Sequence, residues 1–279
     1  MTTDNGFAFL QAVSRSEAGL VRSNNEDAML SLTAMGCFAV ADGMGGGMAG
    51  EVASAIVTRH LQEAWEQTAG DSPGARKYAV QQALHRANGD IVAYADGHHF
   101  DSMGSTVVLL QFDCWSPDRA YVCHVGDSPA FCFRGGELFR LTRDHSVGEE
   151  LKAAQAAPLP ERLAKALTRV IGGRRLLVPE WSCVSVCPGD VFLLCSDGVT
   201  SVLTDGQLTE ILAAAGSLDD LSAEIGRRVL AGGAPDNFTL VCVKVAEQLP
   251  LPVAVEEWER EESELLLKVS EERKDYGND

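Results

Sequence analysis

The sequence predicts an α+β protein in which antiparallel sheets carry pairs of helices on their outer surfaces. Apolar, strand-like runs come in groups, and amphipathic helical segments come in pairs between those groups. A parallel doubly wound sheet would instead show strict alternation of strand and helix. A further observation indicates where a functional site lies, because three of the strand-like runs end in an aspartate beside glycine or serine.

The first half of the chain contains three strand-like runs followed by two helices. The runs are FAFLQAV, DAMLSLT and CFAVAD. Helices are predicted over residues 48–69 and 73–97, where apolar side chains recur every three or four residues, as on a helix that packs one face against a sheet. Pro73 stands in the first turn of the second helix, where proline is tolerated.

The middle of the chain begins with four more strands, STVVLLQFD, RAYVCHV, PAFCFR and ELFRL. The pair Gly135-Gly136 separates the last two, which predicts a tight hairpin turn. A polar and alanine-rich segment then extends from residue 142 to 173, and we call it the flap segment. Helical stretches are predicted within it over residues 148–157 and 161–170.

The last part of the domain contains two strands, two helices and a closing strand. The strands WSCVSVC and DVFLLCS are joined across Pro188-Gly189, and the chain closes with FTLVCVKV. The helices are predicted over residues 204–214 and 218–231. Because no repeat or low-complexity linker interrupts this order, we predict one domain over residues 1–247.

The remaining residues, 248–279, form an acidic tail. Ten acidic and four basic residues lie between Glu256 and Asp279. A helix is predicted over residues 255–274, which either packs back onto the domain or binds a partner. The whole chain has a formal net charge of −17, which argues against nucleic acid or an anionic membrane as the main partner.

Cysteine usage and hydropathy indicate the compartment. The eight cysteines are scattered, mostly inside apolar runs, and they show no zinc-type CxxC pairs, so we interpret them as reduced core residues. No apolar stretch approaches the roughly 18 residues that span a bilayer. The N-terminus lacks the basic and apolar regions of a signal peptide. These observations predict a cytoplasmic protein.

The aspartates that end the strands are Asp42, Asp127 and Asp197. Together with the pairs Glu26-Asp27 and Asp236-Asn237, they resemble a cluster of hard oxygen ligands, which suits Mg²⁺ or Mn²⁺ better than zinc. Asp-Gly after a strand is also a common hairpin signal, so a single example carries little weight. The run DGMGGGMAGE is a second candidate for binding phosphate, but it lacks the GxxxxGK[ST] pattern.

A series of motifs makes the resemblance specific. VRSNNEDA, FAVADGMGG, GSTVV, VGDS, LTRDHS, FLLCSDG and PDNFTLVCV occur in that order between Gly19 and Val245. The series resembles that of the metal-dependent protein phosphatases (PPM family, type 2C serine/threonine phosphatases) in their bacterial form. The resemblance implies an αββα sandwich of two central antiparallel sheets flanked by helix pairs, with Mn²⁺ or Mg²⁺ bound at one edge.

The resemblance also implies roles for individual residues. Two metal ions are expected in the core site, and a third, weaker ion is expected beside them. Asp42 matches the bridging ligand. The other matches are Asp197 and Asp236 for the first ion, Glu26 and the Gly43 carbonyl for the second, and Asp127 with Asp197 for the third.

Two further residues match catalytic roles in the family. Arg22 matches the arginine that binds the substrate phosphate, for which a guanidinium is well shaped. Asp27 matches the residue that hydrogen-bonds a metal-bound water. The expected reaction is attack of metal-bound hydroxide on a phosphoserine or phosphothreonine protein, reversing the work of a bacterial serine/threonine kinase.

The sequence departs from the family at two positions. Pro129 follows Asp127-Ser128 where the family usually has arginine, and Met44 stands where eukaryotic members have a catalytic histidine. The general acid is therefore unassigned. His145 is one candidate, although a histidine on the surface of the flap segment is the simpler interpretation.

Two alternative functions share the same motifs. One is a catalytically weak relative that binds phosphoproteins as an adaptor. The other is a metal-dependent hydrolase of small phosphate esters or nucleotides. Turnover of a phosphopeptide, compared with turnover of a nucleotide, distinguishes the alternatives from the protein phosphatase.

Overall fold

The computed structural model of the protein describes residues 7–45, 49–100, 102–155 and 159–251. Two antiparallel sheets form its centre. One has the strand order β1-β11-β10-β7-β8, and the other has the order β2-β3-β5-β6-β9 with the short strand β4 paired to β3. The strands are β1 Leu10–Glu17, β2 Asp27–Leu32, β3 Cys37–Gly45, β4 Met103–Ser105, β5 Val107–Phe112, β6 Arg119–Val125, β7 Ala130–Arg134, β8 Glu137–Arg140, β9 Glu180–Ser185, β10 Val191–Cys195 and β11 Phe238–Val245.

The helices pack in pairs on the outer faces of the two sheets. Alpha helices α1 and α2 cover the sheet that contains β3, and α6 and α7 cover the sheet that contains β10. Two short helices, α3 and α4, lie in the flap segment, and α5 follows β10 directly. The helices are α1 Ala49–Gln67, α2 Pro73–His98, α3 Val147–Ala153, α4 Glu161–Ala164, α5 Asp197–Thr200, α6 Asp205–Ala214 and α7 Leu218–Ala231.

The layers follow from the alternation of side chains along the strands. On β3, Cys37, Ala39 and Ala41 face α1 and α2, whereas Phe38 and Val40 face the other sheet. Side chains on β10 alternate in the same way, between the layer that separates the two sheets and the layer under α6 and α7. Because both faces of each central strand are buried, these strands read as continuous apolar runs in the sequence. The result is the four-layer αββα sandwich that the sequence predicted.

Several predicted elements need correction. The first strand begins at Leu10 rather than Phe7, because Phe7 to Phe9 form a turn, closed by a 2.9 Å hydrogen bond from Leu10 N to Phe7 O, that buries both phenyl rings. The run STVVLLQFD divides into β4 and β5. Strands β9 and β10 lie in different sheets, so the Pro188-Gly189 connection carries the chain from one sheet to the other.

The flap segment contains less helix than predicted. Helix α4 ends at Ala164, and the following residues instead run beside the start of the segment, where Thr168 N donates to His145 O at 2.8 Å and Leu167 pairs with Ser146. The hairpin prediction is confirmed, since Gly135 and Gly136 have positive φ angles of 60° and 87°. The predicted tail helix lies outside the described residues. Among the described helices, none has both the length and the apolar character needed to cross a membrane.

Candidate metal centre

The rows of side chains between the two sheets change from apolar to polar at one end. On β3, Phe38 and Val40 belong to the buried layer between the sheets, and Asp42 is the next residue in their row. Thr106, Ser196 and Thr239 continue the corresponding rows of β5, β10 and β11. Strands of both sheets therefore deliver polar side chains to the same end of the sandwich.

Asp27 and Asp42 lie directly opposite each other on β2 and β3. Ser196, which belongs to the other sheet, donates from Oγ to Asp27 Oδ2 at 2.7 Å. Ser196 is fully buried, and its Oγ accepts a 3.0 Å hydrogen bond from the Thr239 amide. A series of hydrogen bonds thus crosses from one sheet to the other and fixes the orientation of the Asp27 carboxylate.

Glu26 is held where β3 meets the start of α1. The Gly43 amide donates to Glu26 O at 3.1 Å, and Ser54 Oγ on α1 donates to the same oxygen at 2.6 Å. A Cβ on Gly50 would lie 2.7 Å from Glu26 Cδ, and a Cβ on Gly43 would lie 2.0 Å from Gly50 O. Only glycine at both positions allows the backbone to approach the Glu26 carboxylate this closely.

Arg22 and Asp236 form an ion pair at the outer side of the cluster. The distance from Arg22 Nη2 to Asp236 Oδ2 is 2.8 Å, and the Arg22 side chain is 51% exposed. The adjacent Asp236 carboxylate raises the pKa of the guanidinium above its ordinary value. Arg22 is therefore charged and accessible to a ligand from solvent.

Asn237 connects the Arg22 loop to the turn that carries Asp236. Its Nδ2 donates to Ala18 O at 2.9 Å and to Asn24 O at 2.8 Å, and its Oδ1 accepts from the Glu26 amide at 2.9 Å. Asn237 therefore shapes the site. Its side chain has three structural partners, and this distinguishes it from the neighbouring Asp236.

Asp127 stands between two residues that are fixed to other strands. Gly126 has a φ of 103°, and a Cβ there would lie 2.6 Å from Thr106 Cγ2, so the turn requires glycine. Ser128 Oγ lies 2.6 Å from Thr106 Oγ1, which also accepts from the Asp42 amide at 3.1 Å. Thr106 therefore links the two aspartate-bearing turns.

The carboxylates at this end of the sandwich are half-buried and repel one another. Burial and the charges of Asp27, Asp197, Asp127 and Asp236 raise the pKa of Asp42 well above its ordinary value. Burial, only partly offset by the Ser196 hydrogen bond, raises the pKa of Asp27 to about 6. Burial and the charge of Asp197 raise the pKa of Asp127 to about 7.

Asp197 shows the same effect. Its pKa is raised by burial and by the Asp236 charge, while a hydrogen bond with Asp42 and the charges of Lys165 and Arg22 lower it. A half-buried group of carboxylates in this state needs added positive charge to ionise fully. The donor set of carboxylate and carbonyl oxygens therefore fits divalent magnesium or manganese.

All eight predicted site residues lie in this region, and their roles as ligands or catalytic groups stay predictions. His145, however, is not the surface histidine that the simpler interpretation predicted. It is only 5% exposed, its ring stacks on His124, and its Nε2 lies 3.1 Å from Glu180 Oε2. Its role as a candidate general acid stays a prediction.

His124, His145 and Glu180 form a second cluster whose potential ligand atoms lie within 4.8 Å of one another. The His124 Nε2 is already 2.8 Å from Arg143 O, and Arg169 Nη1 lies 3.1 Å from His145 Nε2. A guanidinium at that position opposes a second cation, so this cluster is a hydrogen-bond network.

Sequence reasoning missed the residues that support the carboxylates. Thr106, Ser128, Ser196 and Gly50 were not singled out, although the first three belong to the motifs GSTVV, VGDS and FLLCSDG. For Ser128 and Ser196, the available signal was a polar residue directly beside an aspartate at the end of an apolar run, whereas Thr106 has no such neighbour. Gly50 belongs to the run DGMGGGMAGE, but nothing in that run distinguishes it from the other glycines, because its role depends on the approach of Glu26.

Comparison with protein families supports the resemblance. Residues 21–229 match the family model described as protein phosphatase 2C. The chain is 32% identical over 251 residues to the serine/threonine protein phosphatase PstP of Mycobacterium tuberculosis, covering 85% of this chain and 45% of that protein. It is 30% identical over 241 residues to the protein phosphatase PhpP of Streptococcus pneumoniae, covering 83% of this chain and 96% of PhpP. The chain thus spans less than half the length of the mycobacterial relative.

Solved structures show the same architecture. PppA, described as a key regulatory component of the T6SS in Pseudomonas aeruginosa, superposes with a TM-score of 0.78 at 32% identity, covering 86% of this chain and 99% of PppA. The catalytic domain of PstP in complex with two manganese ions superposes with a TM-score of 0.73 at 30% identity, covering 85% of this chain and 98% of that domain.

Proposed function

The chain belongs to the protein phosphatase 2C family, and from this premise we propose that it is a metal-dependent serine/threonine phosphoprotein phosphatase. One observation carries the proposal. Half-buried aspartates from both sheets converge at one end of the sandwich, and desolvation together with the charges of neighbouring carboxylates raises their pKa values. An exposed arginine stands at the edge of the same cluster.

The donor set divides between two core ions and a third, weaker ion, each Mn²⁺ or Mg²⁺. Asp42, Asp197 and Asp236 would hold the first core ion, and Asp42, Glu26 and the Gly43 carbonyl would hold the second. Asp127 with Asp197 would hold the third. When bound, such ions lower the pKa of a coordinated water and neutralise charge on a phosphate. The complex of PstP with two manganese ions supports the choice of metal.

The residues of the chain contribute binding, orientation and charge. Arg22 presents a planar guanidinium that suits a phosphate dianion, and its exposure allows a phosphorylated side chain to reach it. Ser196 orients the Asp27 carboxylate, which can then accept a hydrogen bond that a water molecule donates. The two glycines around Glu26 keep bulky side chains out of the space beside Gly43.

The biological setting follows by extension. The substrates are phosphoserine and phosphothreonine proteins, and the chain reverses a cognate bacterial serine/threonine kinase. All eight cysteines fall within the described residues and are free thiols, which supports a reducing, cytoplasmic location. Residues 1–247 form the catalytic domain, and residues 248–279 form an appended tail.

The proposal is tested by hydrolysis of a phosphothreonine peptide with and without Mn²⁺. The wild-type chain should require the metal, and Asp42→Ala should reduce turnover by at least about 100-fold, the usual effect of removing one charge-stabilising group. Asp205→Asn, an exposed acidic residue in the first turn of α6, is the matched control and should keep full activity.

Each other outcome identifies an alternative. A folded wild-type chain that binds Mn²⁺ without hydrolysing phosphopeptides or p-nitrophenyl phosphate would indicate a phosphoprotein-binding adaptor. Faster turnover of nucleotides than of phosphopeptides would indicate a hydrolase of small phosphate esters. Full activity of Asp42→Ala would contradict the assignment of the metal centre.

A further inference from the structure

His145 connects the turn that carries Asp127 to the flap segment. Its amide donates to Gly126 O at 2.9 Å, and the Gly126 amide donates to His145 Nδ1 at 3.2 Å. Two hydrogen bonds therefore join one histidine to the residue that immediately precedes Asp127. The side-chain bond is the unusual one, because it replaces a backbone acceptor with an imidazole nitrogen.

The same histidine closes the base of the flap segment. Its carbonyl accepts from the Thr168 amide at 2.8 Å, and two residues later the Val147 amide donates to Ala166 O at 2.9 Å. These bonds pair the outgoing and returning strands of the flap segment. The base of the segment is thus fixed at the residue whose ring holds the Asp127 turn.

One neutral tautomer of His145 satisfies its contacts with Gly126 and Glu180, and Arg169 Nη1, a donor that lies 3.1 Å from Nε2, is then left to pair with Glu180 Oε2 at 3.6 Å. Because Nδ1 accepts the Gly126 hydrogen, the neutral ring carries its proton on Nε2, which donates to Glu180 Oε2 at 3.1 Å. The ring stacks on His124 with centroids 4.3 Å apart and planes 14° apart. Burial lowers the pKa of His145 to about 4, so the ring is neutral at physiological pH.

Asp127 needs this support because neighbouring carboxylates repel its negative charge. It lies among the charges of Asp197 and Asp144, and the turn on its other side is held through the contact between Thr106 and Ser128. The C-terminal end of the flap segment is held elsewhere, where Asn88 Oδ1 accepts from the Gly172 amide at 2.8 Å. Among the described contacts, the hydrogen bonds to the Asp127 turn therefore come from the N-terminal end of the segment.

We propose that His145 is a positioning residue that holds the Asp127 turn against the base of the flap segment through its Nδ1. The weaker ion at Asp127 and the register of the flap segment then depend on the same imidazole ring. This inference rests on the proposed function for the identity of the ion. The contact with Glu180 fixes the tautomer and the ring orientation, and the contact with Gly126 positions the carboxylate.

Two variants of His145 distinguish the contribution of Nδ1 from that of Nε2. In His145→Asn the amide branches at the position of Nδ1, so an oxygen acceptor remains available to the Gly126 amide. In His145→Gln the amide extends to the position of Nε2, so the contact with Glu180 survives and the Gly126 amide loses its partner. His60→Gln is the matched control, since His60 is also buried, at 8% exposure, and contacts Asp90 between α1 and α2.

Mn²⁺ binding measured by calorimetry is the primary measurement, and p-nitrophenyl phosphate kinetics are the second. We expect His145→Gln to weaken the lowest-affinity Mn²⁺ site about 10-fold and to lower kcat more than it raises KM. An effect of that size is typical of a lost supporting partner of a metal ligand. His145→Asn should remain within about 3-fold of wild type in both measurements, since the supporting contact survives. His60→Gln should lower only the Tm.

A purely structural role gives a different pattern. Equal loss of Mn²⁺ affinity in both His145 variants, or a loss that follows Tm in all three variants, would overturn the proposal. If His145→Gln does not fold, hydrogen exchange in His145→Asn decides, because the Gly126 amide must stay protected while Mn²⁺ affinity is kept. If the wild-type chain proves inactive, the calorimetry still tests the positioning role separately from the proposed function.

Discussion

The two ends of strand β10 carry aspartates with opposite properties. Asp190 precedes the strand and is fully buried, and Arg134 donates to it from Nε and from Nη2, both at 2.7 Å. The Cys187 amide adds a third bond at 2.7 Å. Asp197 follows the same strand, and burial together with the charge of Asp236 raises its pKa. The protein neutralises one aspartate internally and leaves the other dependent on external cations.

This difference distinguishes a structural acid from a functional one. The Arg134–Asp190 pair connects β7 to the turn between β9 and β10, and Arg134 also donates to Ser185 O at 2.9 Å. The pair therefore joins the two sheets without any ligand. At the other end, the sheets are joined through polar contacts such as Ser196 with Asp27, and repulsion among the carboxylates opposes those contacts. Stability is concentrated at one end and function at the other.

Replacing Asp190 or Asp197 with asparagine should have opposite effects on stability and turnover. This is the largest contrast that we expect. Asp190→Asn should lower the free energy of unfolding by about 2–3 kcal/mol, a discounted value because Arg134 is partly exposed. Asp197→Asn should leave the metal-free Tm unchanged or higher, since it removes a repelled charge, while phosphopeptide turnover falls at least about 100-fold. Thermal unfolding with parallel kinetics checks both. A destabilised Asp197→Asn with normal turnover would reverse the comparison.

The pH dependence of stability should reveal the repulsion at the functional end. Folding raises the pKa of Asp27 to about 6 and that of Asp127 to about 7, from 3.8. The metal-free folded chain therefore binds more protons than the unfolded chain between about pH 4 and 7, so its stability falls as the pH rises through that window.

Mn²⁺ should suppress this pH dependence by supplying the missing positive charge. We expect the Tm of the metal-free chain to fall by several degrees between pH 5 and pH 7.5, at about 2–4 °C per kcal/mol for a chain of this size. Saturating Mn²⁺ should flatten or reverse that trend. Calorimetric scans at both pH values provide the measurement, and a metal-free Tm that rises with pH would contradict the account.

The smallest expected effect concerns the hydroxyl that supports Asp27. Ser196→Ala removes the hydrogen bond that lowers the Asp27 pKa, so that pKa should rise further above its present value near 6. The acidic limb of the profile of kcat/KM against pH should move upward by about 1 unit, the worth of a hydrogen bond to a charged group. Ser185→Ala is the control, since Ser185 Oγ contacts Arg134 at the opposite end of the strand. Identical profiles for the two variants would show that Ser196 does not tune Asp27.

Most of the fold could be predicted from local patterns. The final helix and strand, α7 and β11, have the predicted bounds, because strong amphipathic and apolar periodicities dominate those segments. The flap segment was predicted less well, since its sequence lacks a strong period and its returning strand depends on a bond to His145. The sequence did not assign β9 and β10 to different sheets, because an apolar run does not record which sheet it joins.

The sequence predicted the residues of the candidate site more completely than the fold around them. Every predicted ligand and catalytic residue lies at one end of the sandwich, because the motif series carries the geometry of a family. The supporting residues were not predicted, since Gly50, Thr106 and Ser196 act across contacts between segments far apart in the sequence. His145 was misplaced for the same reason, because its burial depends on His124 and Glu180.

The sequence by itself determined the order of strands and helices, the position of each aspartate at a strand end, and the family. It did not determine which aspartates act alike. Asp190 and Asp197 both flank the run VFLLC, and both stand beside a glycine. Only the tertiary structure places Arg134 beside one and further carboxylates beside the other. Desolvation and charge depend on neighbours brought together by folding, so local sequence cannot encode that distinction alone.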